Sequence, residues 1–416
     1  MERQVVSNKA HSNIYFSQPQ GLHIIAIITL CVSTGIDPFM SLLNIYSEVG
    51  IFYTRGDYFF VIFFAATFGC ISNYLLGSNK SIVHGLQFIM AALLFSTIHN
   101  IQIFGLAVFA VGLTVVISNL LFSLSSFYLK ADSRRLYGFL GFFSSIILGV
   151  IIGDIIHYLF VKTLFDFRIF YFIVVFFTLI FFLKYNYKLN TSLNNKTERF
   201  NISVYGVFTI YIAFSLIVLY YLNNLAIFSL FNIAIFPIAL ITLTILTLIN
   251  NKEDGKKLLK YIYFCLFIII VNKVIYLTFL KYELNLKDLH VNSSANVSIF
   301  LGIEYIFCLL IYFAWKARIL TLKISSIINL KLIKLIFYIE IFKIILLAVA
   351  VLFIGETISL IMFILATIIS LLINVFIVPV FFSLGKLLAG SKNEITITAC
   401  LFLTFSSLIF ISYLYA

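Results

Sequence analysis

A handful of ionisable side chains interrupt long apolar runs, and any chemistry must start with them: Asp37, Asp154, His157, Lys273, Glu304, Glu340 and Lys343. A charge at the centre of a membrane-spanning helix costs about 2.5–3.5 kcal/mol on insertion scales, so those that remain usually face a cavity or a partner. Asp37 precedes Pro38. Proline removes an amide donor and crowds the preceding turn, so the carboxylate could line a cavity at a helix break or bond the freed backbone. Asp154 and His157 stand three apart and share a helical face. They could form a proton site, since histidine titrates near neutrality, or both could sit among outer headgroups beside Lys162. Lys273 and Glu304 fall in successive apolar runs and could neutralise each other, or Lys273 could meet a solute carboxylate. Glu340 and Lys343, also three apart, read as a self-neutralising pair on one helix face.

Other chemistries find little support. The five cysteines (Cys31, Cys70, Cys265, Cys308, Cys400) lie in apolar stretches without a Cys-x-x-Cys or a histidine at ligand spacing. They read as small hydrophobes, with no metal or redox site and no cofactor expected. His84 and His99 fall at run boundaries and support only interfacial packing. No Gly-x-Ser-x-Gly occurs, so the chain is not expected to be an enzyme.

The scaffold holding these groups is legible in bulk. Of 416 residues, 62% are hydrophobic and 11% charged, and mean hydropathy is +1.12. A soluble domain of this length could not solvate such a surface. An outer-membrane barrel would alternate apolar and polar residues instead of running apolar throughout. The chain is therefore expected to be an all-α polytopic membrane protein with the lipid bilayer as its main partner and no nucleic acid. Apolar runs predict about thirteen transmembrane helices, near 22–46, 57–77, 82–98, 101–128, 136–160, 168–186, 203–223, 225–250, 259–280, 297–315, 332–354, 356–385 and 395–415. The net charge of +12 reads as cytoplasmic loops rather than an anion-binding surface. Arg3, Lys9, Lys80, Lys130, Arg134, Arg135, Lys184, Lys252 and Lys316 fall on one side of that count, and few basic residues fall on the other. The N-terminus is thus expected in the cytoplasm, and the polar first twenty residues predict no cleavable leader.

Three segments resemble the proton-dependent oligopeptide transporters of the major facilitator superfamily. Gly21-Leu22-His23 opens a stretch in which Leu42, Leu43 and Tyr46 fall where that family has them. Gly69-Cys-Ile-Ser-Asn73-Tyr-Leu-Leu-Gly77-Ser-Asn-Lys80 resembles the superfamily's loop between helices two and three. Tyr128-Leu-Lys-Ala-Asp132-Ser-Arg134-Arg135-Leu-Tyr-Gly138-Phe139 resembles the family's Asp-x-Arg-Arg-Asp-x-Gly-Phe, and Ser145–Gly149 echoes the family's next stretch, Gly-Ile-Asn-Leu-Gly. Phe313-Ala314-Trp315 and Ile377–Leu384 agree more weakly. The resemblance implies a major facilitator fold of two helical bundles in a bacterial inner membrane. It implies a cytoplasmic tail 1–20, a six-helix bundle 21–186, a linker 187–202, an inserted helical hairpin 203–250, a linker 251–258, and a C-terminal bundle 259–416 lacking a twelfth core helix.

The departures bear on mechanism. The family's first-helix Glu-x-x-Glu-Arg, which couples protons to transport, falls on Thr29, Val32 and Ser33, and none of these titrates near neutrality. The loop aspartate is Asn73, the fourth-helix lysine is missing after Phe122, and the tenth-helix glutamate aligns with Asn374. The expected function is a secondary transporter resembling peptide:proton symporters, carrying a di- or tripeptide or a related small solute, with its coupling residues replaced. Protonation would then have moved to Asp37, Asp154, His157 or Glu304, or the driving ion and substrate have changed. Two alternatives remain: a non-transporting protein derived from such a transporter, or a polysaccharide-lipid flippase or polymerase. Substrate, coupling ion and oligomeric state are unknown from sequence.

Overall fold

The computed structural model describes residues 19–36, 38, 67–98, 101–128, 134–161, 166–189, 203–223, 225–250, 259–271, 306, 310, 330–352, 357–388, 395–401 and 403. Among these, all regular structure is helical. We number the helices in chain order. The first half holds α1 (Gln20–Ser33), α2 (67–76), α3 (Ser78–Phe95), α4 (Gln102–Ser126), α5 (Arg135–Val161) and α6 (Phe167–Tyr185). Two further helices come next, α7 (Val204–Asn223) and α8 (Leu225–Asn250). The second half contributes α9 (Leu259–Val271), α10 (Leu330–Leu352), α11 (Thr357–Leu388) and α12 (395–401).

Three of these helices are long and apolar enough to cross a bilayer: Gln102–Ser126, Arg135–Phe160 and Phe167–Tyr185. Helix α6 shows how they face their surroundings. Phe167, Tyr171, Val175, Thr178 and Phe182 point inward, while Ile169, Ile173, Phe176, Phe177, Ile180 and Leu183 are exposed. Both faces are apolar, so the outer one suits lipid rather than water. Asp166 caps α6 by accepting from the Arg168 amide at 2.9 Å, satisfying one of the unpaired first-turn donors.

Lipid gives helices no hydrophobic reason to associate, so close backbone approach must do the work, and glycine permits it. Helix α4 is buried almost all round and forms the hub of the first half. Gly85 of α3 and Gly112 of α4 meet backbone to backbone, and a Cβ at Gly112 would lie 2.9 Å from the Gly85 carbonyl oxygen. On α5, Gly149 and Gly153 admit α1: a Cβ at Gly149 would lie 2.7 Å from Ser33 Cβ, and one at Gly153 would strike the Thr34 carbonyl.

One boundary needs adjustment. The helix expected to 77 ends at 76, and α3 starts at Ser78 rather than near 82, so the stretch that resembles a loop is helical on both sides of Gly77. Gly77, at φ 79°, turns the chain in one left-handed residue, so no longer connection is needed. Of the inserted pair, α7 lies against α4, and its Tyr211 enters the first half. The Tyr211 and Ser72 hydroxyls hydrogen-bond at 2.8 Å, and Ser72 donates to Ser81 at 2.7 Å. Phe214 stacks on Phe68 with centroids 4.1 Å apart. The opposite face of α7, with Tyr205, Ile212, Leu216 and Tyr220, is exposed, which makes the helix peripheral.

Candidate functional site: the closed end between the halves

The two halves meet where the start of α5 packs on the end of α11. Arg135, first residue of α5, is wholly buried, and its Nε donates to Ser383 Oγ at 2.8 Å. One turn further along α5, Phe139 faces Phe382 with centroids 6.2 Å apart, and Phe143 lies 5.1 Å from the same ring. A guanidinium buried in a bonded setting is costly to hold and costly to strip of a partner, so this junction is sensitive to either side chain. The basic motif thus has a physical role. Tyr128 stands over Gly138, where any Cβ would collide with its ring, and that packing aims the first turn of α5 at α11. Arg134, partly buried, sits at the turn that starts the helix, its carbonyl accepting from the Gly138 amide at 3.1 Å. Asp132 lies outside the described residues.

The Gly69–Lys80 motif builds a second fixed point. Gly69 lets α2 lie on Ser118 of α4, and Asn119 Nδ2 donates to the Gly69 carbonyl at 3.2 Å and to that of Val115 at 2.8 Å. Asn73 Oδ1 accepts from Ser78 Oγ at 2.8 Å across the Gly77 turn, a task that needs an acceptor but no charge. Lys80 is exposed at the start of α3.

The positions that would carry proton chemistry are sealed into packing. Thr29, Val32 and Ser33 are all 0% exposed. Ser33 presses on Gly149, and the Val32 carbonyl accepts from the Tyr171 hydroxyl at 2.7 Å. On α4, Ser123 comes after Phe122 and is buried. No member of this set can exchange a proton near neutral pH.

Asp154 and His157 lie on α5, both half-buried, with His157 edge-on to Phe167 at 5.7 Å. At the helical rise they stand about 28 and 33 Å from Arg135, near the opposite membrane boundary. At that far end Arg168 joins Asp166, Nε to Oδ2 at 2.7 Å, and donates to the Ser96 carbonyl at 2.7 Å, tying α6 to α3. Partial burial pushes the Asp166 carboxyl up, but hydrogen bonds and charge from Arg168 outweigh it and hold the group below its usual range. Asn374 falls on α11, between Ser370 and Phe382. Asp37, Lys273 and Glu304 lie outside the described residues.

Sequence reasoning singles out the stretches around Arg135 and Ser383 but does not pair Arg135 with Ser383 or Phe139 with Phe382. The bonded pair is separated by 248 residues. The Gly149-x-x-x-Gly153 spacing is a readable signal for the α1–α5 contact that the sequence reading left unused.

No family model matches the chain, and no curated protein matches it. Solved structures do. A POT family transporter in complex with a thioalcohol-conjugated peptide matches at TM-score 0.65 and 17% identity, covering 95% of this chain and 90% of that one. A mutant of the peptide transporter POT in complex with sulfate matches at TM-score 0.63 and 16% identity, over 95% and 88%. The human organic anion transporter MFSD10 matches at TM-score 0.59 and 12% identity, over 95% and 93%. The chain is a multi-pass membrane protein with the major facilitator fold these structures share.

Proposed function

We propose that this chain is a secondary carrier of the oligopeptide transporter type, moving a small organic solute by alternating access between its two halves. The junction of Arg135, Ser383, Phe139, Phe143 and Phe382 carries the reading. Among the described residues it joins the halves through a hydrogen bond and three rings, the sort of contact that can be made and broken. A continuous apolar interface would hold the halves permanently. The distribution of basic residues puts this end in the cytoplasm, so the carrier is drawn closed to the cytoplasm.

The solute is not a di- or tripeptide driven by protons through α1, because Thr29, Val32 and Ser33 offer no group whose proton affinity could differ between states. Among similar structures, POT transporters are described with 5-aminolevulinic acid and with alafosfalin, and these define a sensible panel. Purified protein in liposomes should exchange at least one of dialanine, 5-aminolevulinic acid or alafosfalin in counterflow, and Arg135→Ala should change the rate. Absence of exchange for all three, with distances across both ends fixed, would favour a non-transporting relative. The packed-in coupling positions are the observation that keeps that second reading in view.

A further inference from the structure

The two inserted helices are anchored to different halves. Along α7, Val207, Tyr211, Phe214 and Val218 recur at helical spacing and are buried, so one face is packed over most of its length. The Tyr211 hydroxyl bonds that of Ser72 on α2, and its ring lies 4.8 Å from Phe88 of α3. Phe214 stacks on Phe68 of α2. These partners all belong to the first half. On α8, Ala239, Leu243, Leu246 and Thr247 are buried, while Ile238, Ile241, Ile245 and Ile249 are exposed. The Thr244 hydroxyl hydrogen-bonds the Tyr263 hydroxyl of α9 at 2.8 Å, and α8 also lies against α11. Those two helices belong to the second half. Both anchors stand toward the Arg135 end. The Tyr211 hydroxyl lies 3.3 Å from the carbonyl oxygen of Ser81, in the first turn of α3 beside Lys80. Tyr263 follows the basic stretch of Lys252, Lys256, Lys257 and Lys260, which the charge pattern puts on the same side. The connection between the two helices falls at the other end. Helix α7 stops at Asn223 and α8 starts at Leu225, about 18 Å beyond Tyr211 and about 29 Å before Thr244 at the helical rise.

We propose that α7 and α8 form a strap across the two halves that favours the closed Arg135 end and must splay for that end to open. The proposal rests on the alternating-access reading. A packed helix moves with the surface that holds it, so α7 travels with the first half and the buried stretch of α8 with the second. When the halves part at the Arg135 end, their anchors at Tyr211 and Thr244 are drawn apart. At the far end the chain joins Asn223 to Leu225 through two Cα steps of about 3.8 Å, so those helix ends stay together. The strap therefore opens as a V whose point lies at the far end. Pro237 stands just before the buried stretch of α8, where its missing amide donor gives the helix a place to bend. Bending and splaying cost energy only in the open arrangement, because both anchors are made in the closed one. The strap thus adds to the Arg135–Ser383 bond as a restraint on opening.

The test uses the full chain in lipid nanodiscs, with spin labels on ketone side chains and distances read by pulsed resonance. One pair, at Tyr187 and Ile395, reports the separation of the halves at the Arg135 end, and a second, at Tyr205 and Ile249, reports the splay of the strap; all four positions are exposed. Arg135→Ala should lengthen the first distance, and the second should divide into the same two populations in the same proportion. Ser383→Ala, a smaller change at the same bond, is read in parallel and should do likewise. Tyr211→Phe with Tyr263→Phe takes one hydroxyl from each anchor without opening a cavity. It should raise the open-to-closed ratio at the first pair about threefold or more, from the average worth of one such bond in a membrane. A strap distance that stays fixed while the first pair lengthens means that α7 and α8 ride together on one half. That result, or a ratio that stays level or falls in the double variant, overturns the strap and leaves alternating access standing. Both distances fixed in Arg135→Ala and in Ser383→Ala overturn both.

Discussion

Gly138 offers a quantitative test of how the α5 start is aimed. A Cβ there would overlap the Tyr128 ring, whose side chain is itself almost wholly buried and cannot swing away freely. Inserting one methyl into such packing costs about 1–3 kcal/mol. Removing the ring by Tyr128→Ala leaves a cavity and costs about 3–5 kcal/mol by analogy with other large aromatic truncations. In the double variant the new methyl enters space the ring has vacated, so its own penalty should vanish. The two single effects are then non-additive by about 1–3 kcal/mol, well outside the few tenths seen for independent sites. Thermal unfolding of the four proteins in one detergent measures this. Gly138→Ala should lower Tm by several degrees in the wild-type background and by about zero when Tyr128 is alanine. Equal drops in both backgrounds would refute the collision and, with it, the role assigned to the Tyr128–Gly138 spacing.

Other expectations come from single contacts. Tyr211→Phe removes the hydroxyl that joins α7 to Ser72, and should lower stability by about 1 kcal/mol in thermal unfolding without altering the ends of the first half. Arg168→Met should destabilise at neutral pH by at most about 1 kcal/mol, since the pair is partly exposed. The Asp166 carboxyl is held below its usual range, so its contribution exists above the unfolded value and is lost as pH falls through the folded one. The difference between wild type and Arg168→Met should therefore shrink below about pH 4. Cells or liposomes containing the protein should show no uncoupler-sensitive accumulation of di- or tripeptides. Introducing Thr29→Glu, Val32→Glu and Ser33→Arg should not create it, because the resemblance also finds no lysine after Phe122 and aligns Asn374 with a glutamate.

The helices were legible because the bilayer demands long apolar runs, and α4, α5 and α6 fall within a residue or two of where hydropathy puts them. The motif around Arg135 was legible as a pattern and not as a contact. Its partner Ser383 lies in a stretch that the resemblance marks only weakly, and nothing in its type or spacing pairs it with Arg135. Gly77 shows a different limit. A polar, glycine-bearing stretch reads as a loop, yet one residue of positive φ lets two helices succeed each other directly. The pair Glu340–Lys343 was readable as neutral from its spacing alone. Its burial depends on how helices pack, which periodicity in a helix apolar on every side does not specify.

The central claim is that the halves exchange access between two ends, and it is tested by measuring both ends in one protein. Labels at Tyr187 and Ile395 report the Arg135 end, and labels at Tyr158 and Leu352 report the other. Arg135→Ala removes a charged donor whose bond is worth about 1.5–3 kcal/mol, enough to shift the balance of states about ten- to a hundredfold. The first distance should lengthen and the second shorten, in the same molecules and by matching populations. Lengthening at the Arg135 end with no change at the other would mean a loosened scaffold, and would contradict the account of this protein as an alternating-access carrier.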